Sequence, residues 1–250
     1  MTAGLPTVSM LRIYTEFNVT WLDLLALVFL IVAWVGYTHF AVRHGRRVPS
    51  LHSQMDMFRR EWMVRMVERD NRMVDVNILR NLTRSSQFFA STTMFILGAL
   101  VALTGYVQQA LDLVSGLPFT VKGTAQLLEM KIVLLVLIFV YAFFKFTWAI
   151  RQLGFCSVVL GAAPKPPKDD PERHAPVINR LARITSYAGV NFNNGLRAYY
   201  FGLAALSWFL HPWLMIAATG CVAYILYHRE FASKTLRALA EDDPAGPAAP

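Results

Sequence analysis

A chain of 250 residues has room for one domain or a small multi-spanning unit. Its side chains are 55% hydrophobic and gather into uninterrupted apolar runs of about 20 residues, a pattern that excludes an ordinary soluble core. The formal charge of +8 sits largely on arginines crowded between those runs, which points to anionic headgroups and membrane orientation and argues against a nucleic-acid partner.

Four runs are predicted to cross the bilayer as helices, because a helix satisfies its own backbone hydrogen bonds in hydrocarbon. The first, residues 22–42, carries only Asp23 at one edge and His39 near the other. No signal-type cleavage site follows it, so it is read as a retained span. The second covers residues 88–107 and is rich in small side chains. The third, residues 132–150, holds one charge, Lys145, which either snorkels to the interface or meets a buried acidic partner. The fourth, residues 198–227, is long for one crossing and is interrupted by His211-Pro212. That pair reads as a kink, with a relay or ligand role for His211 as the alternative. Cys156 and Cys221 have no metal-type spacing to each other or to histidine, so no disulfide, metal site or cofactor is expected.

Basic residues set the orientation. Ten arginines from Arg43 to Arg84 lie between the first two runs, and Arg151, Lys165, Lys168, Arg173, Arg180, Arg183 and Arg197 lie between the third and fourth. The remaining connection offers only Lys122 and the edge residue Lys131. The positive-inside rule then makes both rich connections cytoplasmic and turns both termini outward. Arg229, Lys234 and Arg237 in the tail oppose that placement. A re-entrant hairpin at Pro212 is the alternative that would return the tail to the cytoplasm. The expected architecture is an all-α membrane protein of four transmembrane helices with long cytoplasmic helical extensions. Residues 1–240 form a single four-span domain, 161–171 a proline-rich linker that is not helical, and 241–250 a disordered tail.

Residues 55–86 contain neither proline nor glycine and are predicted to be helical. Asp56–Arg60, Glu61–Arg65 and Glu68–Arg72 stand at i,i+4 in the favourable order, each contributing about 0.2–0.5 kcal/mol on an exposed helix. Nothing in the pattern stops this helix before the second run, so residues 55–107 are predicted as one rod of roughly 80 Å. Arg69, Arg80, Arg84, Gln87, Ser91, Gly98, Ala102 and Gly105 fall within a sector of about 60° on it. None of the three leading arginines has an acid at helical spacing. Two compatible readings follow: Ser91, Gly98 and Gly105 allow close helix packing, or they line a pathway whose arginine mouth attracts anions. A neighbouring stripe of Asp70, Asn77 and Asn81 reads as a polar helix contact or as part of a binding site. In the second connection Arg180, Arg183, Tyr187, Asn191, Asn194 and Arg197 share one helix side, although Gly189 and Gly195 each cost that helix about 1 kcal/mol. The candidate anion or headgroup contacts are therefore Arg69, Arg80, Arg84, Arg183, Arg197, Asn77, Asn81, Asn191 and Asn194.

Two stretches carry a resemblance. One runs from Glu68-Arg69-Asp70-Asn71-Arg72 through Asn77-Ile78-Leu79-Arg80-Asn81-Leu82 to Ser85-Ser86-Gln87-Phe88-Phe89-Ala90-Ser91-Thr92. The other is Phe192-Asn193-Asn194-Gly195-Leu196-Arg197-Ala198-Tyr199-Tyr200-Phe201. Both resemble an uncharacterised membrane-protein family, domain of unknown function five hundred ninety-nine, with the likeness covering residues 22–239. The resemblance implies a multi-pass bacterial inner-membrane protein and supplies no activity or catalytic residue.

Three functions remain in view. An oligomeric channel or transporter-like subunit with a basic cytoplasmic vestibule accounts for the arginine-to-small-residue face. A membrane scaffold or regulatory partner needs only the projecting helices. An enzyme acting on phospholipid headgroups is the least favoured, since no zinc-type histidine pair, nucleophile elbow or phosphate loop is present. The expected partners are the bilayer, its anionic lipids and further copies of the chain.

Overall fold

The structure is a computed structural model that describes residues 20–45, 47–115, 124–164 and 175–240. Its described residues are helical, without a strand. The helices in chain order are α1 Trp21–His44, α2 Leu51–Glu68, α3 Met73–Thr104, α4 Val107–Ser115, α5 Ala125–Ala162, α6 Ala175–Leu206, α7 Pro212–Phe231 and α8 Lys234–Ala240. Among them α1, α3 and α5 are long and apolar enough to cross a membrane, the composition of a multi-pass membrane protein. The predicted tail, 241–250, and the linker residues 165–171 lie outside the described residues, as do Arg46, Lys122 and Arg173.

The predicted rod does not form. After Pro49, Ser50 starts α2 with a capping box, accepting from the Ser53 amide at 3.1 Å while its own amide donates to Ser53 Oγ at 2.9 Å. The helix then stops at Glu68, and Arg69 to Arg72 form a corner before α3. Asn71 accepts from the Met73 amide at 3.0 Å, the local side-chain bond by which asparagine competes with continued helix. Two of the three expected ion pairs disappear with the rod. Asp56 pairs with Arg59 at 2.7 Å instead of Arg60. Arg72 leaves Glu68 and donates to the carbonyls of Leu160 at 3.1 Å and Ala163 at 2.7 Å, satisfying the C-terminal end of α5. Only Glu61–Arg65 forms as expected, at 2.6 Å, and that hydrogen bond raises the exposed Arg65 above its ordinary pKa. Helix α5 continues through Gly161 and Ala162, so the expected linker begins two residues later than its composition indicates.

The fourth run is also corrected. Residues 198–227 are not one kinked helix but the end of α6, a 3-10 turn at Ser207–Phe209 and most of α7. His211 is the reason: its Nδ1 accepts from the Trp213 amide at 3.1 Å, capping α7, and Pro212 takes the first helical position, where its missing N–H costs nothing.

The chain divides into two compact units. The first comprises the described parts of Met1–Tyr37, Thr93–Tyr141 and Arg197–Ala223. Leu30, Ile132, Leu135, Ile138, Phe201 and Met215 are fully buried in it. Trp34 meets Tyr141 edge-on at 5.3 Å and stacks on Phe201 at 6.0 Å. Asp23 closes a capping box with Thr20, whose amide donates to Oδ2 at 3.0 Å. Its other oxygen accepts from Trp208 Nε1 at 2.7 Å, and Lys131 donates to the Trp208 carbonyl at 2.8 Å. The α6–α7 turn is thus held from two sides.

The second unit comprises the described parts of Thr38–Thr92, Ala142–Leu196 and Tyr224–Pro250. Met63, Met66 and Val67 of α2, Leu79 of α3, Leu153, Cys156 and Leu160 of α5, and Leu181, Ala182 and Ala188 of α6 form its core. Helix α8 lies against α2, and the His52 amide donates to Glu230 at 3.2 Å. Helix α6 leaves this unit after Leu196 and α7 re-enters it at Tyr224. The C-terminal tail therefore shares a unit with the first basic connection, an arrangement that the hairpin alternative accommodates. Reporter fusions after Gly45 and after Leu239 are expected to give the same topological signal. Opposite signals from the two sites would rule the hairpin out.

Candidate functional site

The second unit gathers its polar side chains where α2, α3, α5 and α6 meet. On α2, Arg59 reaches α6 at Gly189, where a Cβ would stand 2.6 Å from the guanidinium Nη2. Glycine here is a close-approach position, and the guanidinium lies directly on the helix backbone. Beside it is a cavity of about 180 Å³. Its polar lining comes from Arg59, Ser85, Ser86, Thr185 and Asn193, and Leu82, Leu153 and Phe192 supply apolar wall. The hydroxyls are tied to their own helices: Ser85 donates to the Asn81 carbonyl, Ser86 to Leu82 and Thr185 to Leu181, at 3.1, 3.1 and 2.9 Å. The Asn193 side chain makes no hydrogen bond among the described residues.

At the α2–α3 corner, Asp75 is wholly buried. Its Oδ1 accepts from Trp62 Nε1 and from Arg69 Nη1, both at 2.7 Å, and Oδ2 has no partner among the described residues. Removing the carboxylate strands both donors. Asp75→Ala should cost about 3 kcal/mol and Trp62→Phe about 1 kcal/mol, read as a lowered unfolding midpoint in detergent.

Deeper along α5, Lys145 donates to the Asn191 amide oxygen at 3.3 Å, and Asn191 donates to Gln152 at 2.9 Å. The ammonium thus meets an amide where an aspartate was one of the expected partners. Phe89 stacks on Phe146 at 5.4 Å, and Phe192 stands edge-on to both at 5.7 Å. Gly195 admits this cluster, since a Cβ there would come within 2.6 Å of the Phe146 ring. The two glycines that weakened the α6 prediction are the points at which α6 is approached most closely.

The remaining predicted residues do not converge on one site. Arg69 is half-buried and paired with Asp75, so its expected freedom from acids is corrected. Asn77, Arg80, Asn81 and Arg84 are exposed on α3, and Arg80 and Arg84 form no ion pair among the described residues. Arg183 is exposed and donates to the Tyr187 hydroxyl at 3.2 Å, which raises its pKa. Asn194 is half-buried. Arg197 belongs to the first unit, with its guanidinium 5.4 Å from the Tyr37 ring centre. Ser91, Gly98 and Gly105 are exposed, and a Cβ at Gly98 would meet nothing within 4 Å. The cavity residues Arg59, Ser85, Ser86 and Asn193 were missed. A signal for them existed: Thr185, Gly189, Phe192 and Asn193 repeat at i, i+4, i+7 and i+8, one helix face with a glycine in its middle. Gly195→Ala should therefore destabilise by about 1–3 kcal/mol through overpacking, whereas Gly98→Ala, with nothing to overpack, should keep or slightly raise the unfolding midpoint of the monomer.

No curated protein and no solved structure matches the chain. The pattern of the family described as Protein of unknown function, DUF599, matches residues 25–235, and both stretches that carried the sequence resemblance fall inside that match. The chain belongs to this family of unknown function.

Proposed function

We propose that the protein is a multi-pass subunit of the bacterial inner membrane that assembles with further copies of itself along α3 and presents a basic cytoplasmic mouth to anions, as a channel or transporter-like oligomer. The observation that carries this reading is on α3. Ser91 and Gly98 are exposed on a 32-residue helix, and Gly105 follows just beyond its end, while Arg80 and Arg84 continue the same line toward the N-terminus without an acidic partner among the described residues. In lipid there is no hydrophobic drive between helices, so small residues that let backbones approach are the usual seam of association. Arginine beside that seam adds attraction for anions and for acidic headgroups, about 1 kcal/mol per residue near a membrane surface. The cytoplasmic assignment is supported by the arginine excess of the first connection.

Two substitutions test the reading. Gly98→Leu should dissociate the oligomer, seen as a lower native mass in detergent. Replacing Arg80 and Arg84 together by glutamate should leave insertion intact and lower anion flux in proteoliposomes at least tenfold. An unchanged native mass with Gly98→Leu, or flux that survives both charge reversals, would sink the proposal.

A further inference from the structure

We infer that the cavity beside Arg59 is a binding site for a phosphate group, either free or at the head of a phospholipid. The site lies within the second unit, involves none of the α3 line residues and stands or falls independently of oligomeric transport.

Guanidinium geometry is the first ground. Arg59 offers five N–H donors in a fixed fork. Asp56 engages Nη1 at 2.7 Å and α6 supports the other side at Gly189, so the fork is held in one orientation before any ligand arrives. Preorganisation of this kind lowers the cost of binding. Exposure is the second. The Arg59 side chain is 18% exposed and that of Asp56 is 37%, so the cation is the better shielded from water and its acid the better screened by it.

The donor set is the third. Arg59, Ser85, Ser86 and Asn193 all line the cavity, and the Asn193 amide is uncommitted among the described residues. Arg59 and the Asn193 amide are the donors at hand, the Ser85 and Ser86 hydroxyls being spent on the Asn81 and Leu82 carbonyls unless they turn toward a ligand, and bidentate arginine contact with an oxyanion is the strong element. Size is the fourth. A cavity of about 180 Å³ has room for a phosphate group and a short stem. Leu82, Leu153 and Phe192 provide an apolar wall for the carbon chain of a phosphoester.

The test uses the full chain in two arms. In phosphatidylcholine nanodiscs, inorganic phosphate replaces chloride at constant ionic strength, and the unfolding midpoint is followed. In detergent, phosphatidylglycerol retention is measured by native mass spectrometry. Arg59→Gln should weaken binding at least tenfold in whichever arm responds. Gly189→Ala, which keeps every charge but displaces the guanidinium, should weaken it several-fold, as should Asn193→Leu. Asp56→Asn should strengthen it, where a merely structural ion pair would give only loss of stability. A response in the phosphate arm assigns a free-phosphate site, and a response in the lipid arm alone assigns a headgroup site. If Arg59→Gln misfolds, Gly189→Ala and Asn193→Leu decide the matter. Binding in neither arm, or binding indifferent to these variants, overturns the inference, and native mass together with Arg80 and Arg84 charge reversal reports separately on the oligomer.

Discussion

A wholly buried carboxylate dictates the shape of the second unit. Asp75 has no contact with water, so its charge is tolerable only with donors at hand, and both of its hydrogen-bond donors come from the segment before it. Trp62 reaches it from α2 and Arg69 from the residue that closes α2. Neither can arrive if α2 continues straight into α3. The corner follows, and the corner frees Arg72 to satisfy the open carbonyls of α5. Met63, Met66 and Val67 are then carried onto Leu79 and the core shared with α5 and α6. The Arg59 cavity exists because α2 runs beside these helices and does not extend away from them.

Helix content and its apolar runs were legible because length and hydropathy are local properties. The corner was not. Arg69-Asp70-Asn71-Arg72 lacks the proline or glycine that usually marks a stop, and a periodicity argument passes through it without resistance. What breaks the helix there is a tertiary demand from Asp75, with Asn71 supplying a local bond that makes the break inexpensive. The His211-Pro212 pair was noticed as an interruption but assigned the wrong geometry. The same proline serves a kink or a helix start, and only the Trp213 amide bonded to His211 distinguishes them. Asp23 looked like an edge charge, yet it joins a helix cap to a tryptophan far along the chain.

The binding residues show the same division. Arginine excess located the basic connections, but charge counting ranks arginines by whether an acid stands at helical spacing, and that rule, which holds for Arg80 and Arg84, fails for Arg69. Arg69 finds Asp75 across the corner, while Arg59, apparently one of many, is placed on Gly189. A glycine inside a helix is penalised by propensity and thus invites distrust of the helix. Gly189 and Gly195 are better understood as the positions where a neighbouring guanidinium and a phenyl ring need the missing methyl. Glycine in an otherwise strong helix is therefore a contact signal as much as a weakness.

Trp208 joins two segments far apart in the chain, since the bond from its indole to Asp23 spans 185 positions, and the His52–Glu230 bond spans 178. During synthesis α1 emerges first and cannot complete this arrangement until the α6–α7 hairpin has left the ribosome. In the meantime the Asp23 carboxylate, buried in the finished protein, depends on Thr20 and water alone. Assembly thus waits on a segment made after α5, and each unit is closed by residues from Arg197 onward. A chain interrupted before that point would hold long membrane-compatible helices with neither closure in place, a form in which quality-control proteases would find both open ends.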